Sequence, residues 1–236
     1  MSLFAGVHRG FSPPRPGAGV ETKPELSVNY EAGSRIERRR FHAQLVGFFN
    51  DYSNLHGRDT FSSGGTGSGD LFNAGEVNSY GVETSFGVEL LDRSHGGLGV
   101  PLALTYTWTV AEFQNSFSSS FDPWGNVVAG DRLPYIPEHQ ASASMALEFD
   151  HFRLGTLASY VSRTPTEALQ GPIPDNRSVD ARLIFDATAE VNFASYYAAF
   201  VSVQNITDEI YIVARRPAGV RPGLPRRMVA GVRLGF

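Results

Sequence analysis

Strict alternation of apolar and polar residues runs through most of this chain and leaves few alternatives to β-strands. In residues 180–193, every second residue from Ala181 to Phe193 is apolar, and Ile184 is the one apolar residue on the other side. Successive side chains of a strand point to opposite faces, so this pattern is typical of a sheet with one apolar and one polar face. Helical periodicity is not sustained anywhere. The sequence therefore predicts an all-β fold.

Ten strands are predicted from the alternating stretches. Their approximate bounds are 3–11, 25–35, 40–53, 76–91, 101–115, 138–150, 151–163, 179–193, 197–205 and 226–236. Short connections alternate with long ones rich in Gly, Pro, Ser and Asn; the long ones are 12–24, 54–75, 116–137, 164–178 and 206–225. Short periplasmic turns and long extracellular loops are typical of outer-membrane proteins. We therefore expect a transmembrane antiparallel up-and-down β-barrel, with Phe86, Tyr106 and Trp108 on its lipid face.

Composition excludes several classes of function. The chain has no cysteine, which rules out disulfides, thiolate metal sites and cysteine nucleophiles. Its 20 Lys and Arg against 24 Asp and Glu give a net charge of −4, with no basic surface for nucleic acid. The six histidines are scattered, so we assign them no role as metal ligands.

Both ends of the chain suggest a piece of an exported membrane protein. The last alternating segment closes on Phe236, and a terminal aromatic strand is how outer-membrane barrels end, so we predict that Phe236 is read by the barrel assembly machinery. Residues 1–7 lack the features of a signal peptide. Ten strands with two unpaired edges cannot sit in lipid, because each unsatisfied backbone group there costs several kcal/mol. We therefore expect residues 1–236 to be the C-terminal part of a larger barrel.

Several segments go beyond patterning and resemble successive blocks of TonB-dependent outer-membrane receptors. These are residues 10–14, 29–33, 48–55, 81–83 and 205–211, and they occur in the family's order. Residues 131–140 and 211–226 are similar to the ferric citrate receptor branch. The resemblance implies a barrel of about 22 strands around an N-terminal plug, of which this chain holds the last ten strands and no plug.

The resemblance also implies a function and its partners. The complete protein is expected to import a ferric chelate, with ferric citrate favoured, in the outer membrane. Its energy would come from TonB–ExbB–ExbD acting through the plug that is missing here. Other expected contacts are membrane lipid, lipopolysaccharide and the barrel assembly machinery. No enzymatic activity and no resident cofactor are implied, because the chelate is cargo.

Arginines near the long loops are the candidate ligand-binding residues, because a guanidinium can bind a carboxylate through two hydrogen bonds. The candidates are Arg132, Arg163, Arg177, Arg215, Arg216 and Arg221. The competing interpretation is that they pair with loop acids such as Asp131, Asp175 and Asp208, or with lipopolysaccharide phosphates.

Two other classes of function stay open at this level. One is an outer-membrane enzyme, a protease or phospholipase, on a ten-stranded barrel. The other is a soluble carbohydrate-binding β-sandwich in which an exposed loop aromatic residue such as Trp124 is the binding platform.

Overall fold

One large antiparallel sheet dominates the computed structural model, which describes residues 1–13, 23–58, 71–73, 75–93, 97–119, 121–194, 197–216 and 219–234. Ten strands form it in chain order, each hydrogen-bonded to its neighbours in sequence. We number them β1 (Ser2–Ser12), β2 (Glu25–Glu37), β3 (Phe41–Ser53), β4 (Val77–Glu89), β5 (Pro101–Phe113), β6 (His139–Glu148), β7 (Phe152–Val161), β8 (Arg182–Ala194), β9 (Tyr197–Gln204) and β10 (Arg227–Leu234).

The predicted all-β class and all ten predicted strands are confirmed. The main differences are at strand ends, where β6 and β7 stop short of the predicted junction at residues 150 and 151. In the described residues β1 and β10 are the edges of an open sheet. Four short hairpins lie in the long connections: His56–Arg58 with Leu71–Asn73, Phe117–Ser118 with Asn126–Val127, Thr164–Pro165 with Ser178–Val179, and Ile212–Ala214 with Arg221–Pro222. No described helix has the length and apolar character to cross a bilayer.

The strand register collects the apolar side chains on one face. Leu104 of β5, for example, is the cross-strand partner of Phe86 on β4 and of Ala143 on β6. Large apolar side chains on this face remain exposed, among them Leu45, Phe86, Leu104, Met145, Leu183 and Val232. Within the described part of the chain no second large sheet covers them. This arrangement argues against the soluble sandwich and is that expected of a surface in contact with lipid.

An aromatic row crosses the apolar face near the ends of the strands that lead into the long connections. Tyr30, Phe49, Tyr80 and Trp108 lie on the adjacent strands β2 to β5, with successive ring centroids 6.2, 6.5 and 6.1 Å apart. Aromatic side chains at this level are typical of the interfacial girdle of outer-membrane barrels.

The opposite face is polar and joined by side-chain hydrogen bonds across strands. Thr105 Oγ1 and Ser142 Oγ are 2.7 Å apart, and Arg233 lies 3.1 Å from Glu190. A hollow of about 680 Å³ extends along this face from β3 to β9. The faces therefore follow the alternation of the sequence over the central part of each strand.

Candidate functional site

The connection between β5 and β6 folds back onto the polar face of the sheet. Tyr52, Val77 and Phe113 are cross-strand partners on β3, β4 and β5, and they form an apolar row at the end of the otherwise polar face. Val77 and Phe113 are 1% and 0% exposed. Side chains of the connection cover this row; they are Phe117, Trp124, Val127 and Leu133. The connection is therefore anchored by a small hydrophobic core.

Trp124 corrects one expectation from the sequence. As the platform of a carbohydrate-binding sandwich it would have to be available to a ligand. Instead its indole packs edge-on against Phe113 and Phe121, each with centroids 5.4 Å away, and against Phe117 at 6.0 Å. The prediction of one apolar and one polar face also fails at this end of β4 and β5. The signal was present in the sequence as Val77 and Phe113, which are apolar residues at polar-face positions.

Three long connections meet at this end of the sheet. The Tyr135 amide donates to the Pro165 carbonyl at 2.7 Å, and the Ala168 amide donates to the Pro123 carbonyl at 2.9 Å. Arg215 Nε donates to the carbonyl oxygen of Ser178, joining the third connection to the second. We call the described residues within 114–138, 162–181 and 205–226 together the loop cluster.

Glu167 and Arg216 are the charged centre of the loop cluster. Glu167 accepts from Arg177 Nε at 3.1 Å and from Arg216 Nη2. The other terminal nitrogen of Arg216, Nη1, pairs with Asp122 of the first connection. One guanidinium thus links all three connections. The exposed fractions of the side chains are 20% for Glu167, 27% for Arg216 and 66% for Asp122.

Asn205 fixes the base of the third connection, a role that the sequence motif did not reveal. It is 2% exposed and has a left-handed backbone with φ 51°. Its side-chain amide donates to the carbonyls of Glu209 and Leu224 at 2.9 and 3.0 Å, and its side-chain oxygen accepts from the Glu209 amide. Asparagine tolerates this conformation and can satisfy several backbone groups at once.

The remaining candidate arginines have different surroundings. Arg163 lies 2.7 Å from Asp175 and 3.3 Å from Asp180, and the hydrogen bond that it donates to Asp175 raises its pKa. Arg132 pairs with Glu138 at 3.5 Å. It is also the cross-strand partner of Glu112, whose position in β5 places it on the face of Trp108. Arg132 therefore lies on the outward side, where it lines a small cavity together with Arg163.

Arg221 is exposed and has no ion-pair partner among the described residues. It stands on the same hairpin as Arg215 and Arg216, opposite Ala214. Most of the candidate arginines are thus held by groups of the protein, whereas Arg221 is available. The assignment of these six arginines to ligand binding stays a prediction. Phe236, the predicted assembly signal, lies outside the described residues.

Tyr135 joins two connections through an uncommon backbone conformation. Its φ is 62°, which bulky residues rarely adopt. Its hydroxyl oxygen is buried and has no hydrogen-bond partner among the described residues. Burial raises the pKa of this hydroxyl, and the neighbouring backbone of Arg215 and Arg216 and the charge of Arg221 oppose that rise.

The described residues contain no group of three or more His, Asp or Glu side chains that could hold a metal ion.

Comparison with known proteins identifies the family of this chain and solved structures with a similar fold. Residues 1–206 match the family described as TonB dependent receptor-like, β-barrel. No curated protein matches the chain. Among solved structures, the ferric-catecholate import receptor Fiu from E. coli K12 is 17% identical with a TM-score of 0.73. The match covers 99% of this chain and 33% of Fiu.

Two further structures are similar to the same extent. The ferric yersiniabactin uptake receptor FyuA from Yersinia pestis is 18% identical with a TM-score of 0.72, over 99% of this chain and 35% of FyuA. The copper transporter OprC is 18% identical with a TM-score of 0.72, over 99% of this chain and 36% of OprC. The chain spans about a third of the length of each. At these identities the likeness shows the fold alone.

Proposed function

Because this chain belongs to the TonB-dependent receptor β-barrel family, we propose that it forms part of the barrel wall of an outer-membrane receptor for a ferric chelate, with ferric citrate as the favoured cargo. The family is one of receptors and transporters, and its barrels lie in the bacterial outer membrane. In the proposed receptor, the apolar face contacts lipid and the loop cluster surrounds the entrance.

The family match supports the proposed role as a receptor, whereas the proposed cargo rests on the side chains of the loops. The three matched structures are described as taking up a ferric catecholate, ferric yersiniabactin and copper, so one wall fold serves different cargoes. Side chains on the loops therefore decide what binds. This follows the general rule that function resides in sites carried by a fold.

The observation that favours an anionic, carboxylate-rich chelate is the hairpin of residues 212–222. It brings Arg215, Arg216 and Arg221 to one edge of the loop cluster, and Arg221 is exposed without an acidic partner among the described residues. Guanidinium groups bind carboxylates with two parallel hydrogen bonds, which is stronger and more directional than the interaction of a point charge. Ferric citrate presents such carboxylates.

The test uses the full-length receptor purified in detergent, with ferric citrate titrated calorimetrically. Binding should be detectable, and Arg221→Gln should weaken it about tenfold or more, since a hydrogen bond to a charged group contributes about 1.5–3 kcal/mol. A neutral ferric trihydroxamate should bind more weakly to the wild type and should not respond to Arg221→Gln.

Arg39→Gln is the matched control, because Arg39 is an exposed arginine on the short turn at the opposite end of the sheet, 3.4 Å from Asp92. It should leave affinity unchanged. Absence of ferric citrate binding by the wild-type receptor would reject this cargo.

Uptake supplies the test of energy coupling. We propose that TonB–ExbB–ExbD acts through a plug outside this chain, and that the barrel assembly machinery and lipopolysaccharide are further partners. Iron accumulation from ferric citrate should then depend on both the receptor gene and TonB. Uptake that persists in a strain lacking TonB would contradict the coupling.

A further inference from the structure

Arg216 is held by two carboxylates of unequal accessibility. Glu167 is 20% exposed and is also bonded to Arg177, so two arginines of the loop cluster fix its position. Asp122 is 66% exposed and has Arg216 as its ion-pair partner in the described part of the chain. Exposed ion pairs contribute little to stability, whereas partly buried charges that lose a partner are costly. Of the two acids, Asp122 is the one that can leave.

The backbone that carries Asp122 is fixed. Its neighbours Phe121 and Pro123 are buried, and the Trp124 amide donates to the Phe121 carbonyl at 2.9 Å. Trp124 in turn packs on Phe113 in the core below the loop. The carboxylate of Asp122 can therefore move by rotation of its own side chain while the loop stays in place.

These contacts place a carboxylate of the protein on Nη1 of a guanidinium that borders the proposed entrance. We propose that Asp122 is an internal competitor: it occupies on Arg216 the position that a carboxylate of the incoming ferric chelate takes. This inference rests on the proposed function, which it deepens by naming the group that the ligand displaces. Binding is then an exchange of one carboxylate for another on Arg216, with Glu167 keeping the guanidinium oriented.

The exchange has a consequence for specificity. A chelate without a free carboxylate gains nothing from Arg216, because breaking the Asp122 pair is not compensated. A carboxylate-bearing chelate replaces the lost interaction and adds its contacts with Arg221. The internal acid therefore lowers the affinity only for a chelate that displaces it, and only a carboxylate-bearing chelate is compensated for doing so.

The experiment measures ferric citrate binding to the full-length receptor carrying Asp122→Asn. Because Asp122 is exposed, the variant is expected to assemble normally. Removing an exposed competing charge should tighten binding about two- to fivefold, the range that exposed ion pairs contribute. Asp150→Asn is the matched control: Asp150 is 71% exposed and pairs with Arg93 at 3.0 Å, but lies at the opposite end of the sheet. It should leave the affinity unchanged.

A double-mutant cycle makes the test specific to Arg216. In an Arg216→Gln background, or in Arg216→Lys if the first variant assembles poorly, Asp122→Asn should give less gain than in the wild type, and none with Gln. An equal gain in the Gln background would show a general charge effect and overturn the inference. Unchanged or weaker binding by Asp122→Asn, with normal binding by the wild type, would overturn the inference alone. If neither protein binds ferric citrate, both the inference and the proposed cargo fail.

Discussion

Placing an arginine at position 104 should test whether the apolar face of the sheet contacts lipid. Leu104 is the fourth of the 13 residues of β5 and lies between Phe86 and Ala143, four residues from Trp108 in the aromatic row. A strand rises about 3.4 Å per residue and tilts about 40° in such barrels, so Leu104 lies about 10 Å below that row. This depth is close to the middle of an apolar band about 25 Å tall.

The cost of Leu104→Arg follows from this depth. Arginine on the lipid face costs about 2–4 kcal/mol at the midplane of the bilayer. Thr105 is the next residue and faces the polar side, where it bonds to Ser142. Thr105→Arg should cost about 1 kcal/mol, the value of the lost hydrogen bond. The pair of variants therefore differs by about 1–3 kcal/mol while adding the same charge to adjacent residues.

Chemical denaturation of the full-length receptor in lipid vesicles measures the difference directly, with the wild type as reference. Heat-modifiable mobility on gels gives the assembled fraction in cells as an independent readout. Equal costs for the two substitutions, or a larger cost for Thr105→Arg, would refute the assignment of the apolar face to lipid.

Three further predictions concern the loop cluster in the full-length receptor. Phe113→Ala should remove the anchor of residues 117–133 at a cost of about 3–5 kcal/mol, raising hydrogen exchange there by at least a hundredfold, whereas Phe86→Ala on the lipid face should not. Tyr135→Phe should be neutral or stabilising, because the buried hydroxyl that it removes has no partner among the described residues. Since burial raises the pKa of Tyr135 above 10.0, the fold favours the neutral phenol. The stability that comes from this raised pKa is complete below pH 10.0 and is lost as the pH rises through the higher pKa of the folded state. The difference in phenolate absorbance between the wild type and Tyr135→Phe, followed against pH, should show this titration. Glu167→Gln should speed exchange in residues 166–178 and 212–216 by loosening two arginines at once; unchanged exchange would contradict its central role.

The strands were predictable because one face of the sheet meets lipid and the other meets water, so apolar and polar residues must alternate along each strand. A slip of one residue would turn Leu183 and Phe185 toward the polar side and Asp186 toward lipid, so the register is strongly determined. The same periodicity predicted which residues form the apolar face and that Trp108 lies on it. The resemblance to TonB-dependent receptors was confirmed at the level of the family over residues 1–206, which include the blocks 10–14, 29–33, 48–55 and 81–83.

The loop cluster was not predictable in the same way, because its contacts join segments far apart in sequence. Arg216 pairs with Glu167 and Asp122, and no local pattern around any of the three indicates the others. The sequence indicated that arginines were near the entrance and that acids could neutralise them. It could not show that Arg221 would be left without an acid in the described structure while Arg216 would be shared between two.

Strand length explains where the alternation fails. β6 begins opposite Trp108, so residues 109–113 of β5 extend beyond it and bond instead to the returning connection, where the Leu133 amide donates to the Ala111 carbonyl at 2.9 Å. Ten residues, the length of β6 and β7, span about 26 Å at the usual tilt, which is the height of the apolar band. The extra residues of the longer strands β3 to β5 therefore rise out of the membrane.

Above the membrane the rule of lipid outside and polar lumen inside no longer applies, and a loop can supply the covering for an apolar side chain. Val77 and Phe113 lie in these extensions, and both are covered by the connection that follows β5. Apolar residues at polar-face positions near the loop end of a strand thus mark where a connection returns onto the wall. By the same reasoning, substituting Val77 with threonine should loosen the connection without affecting the strands below it. Exchange confined to residues 117–133 is the expected result, and exchange spreading into β4 and β5 would show that these extensions are part of the barrel core.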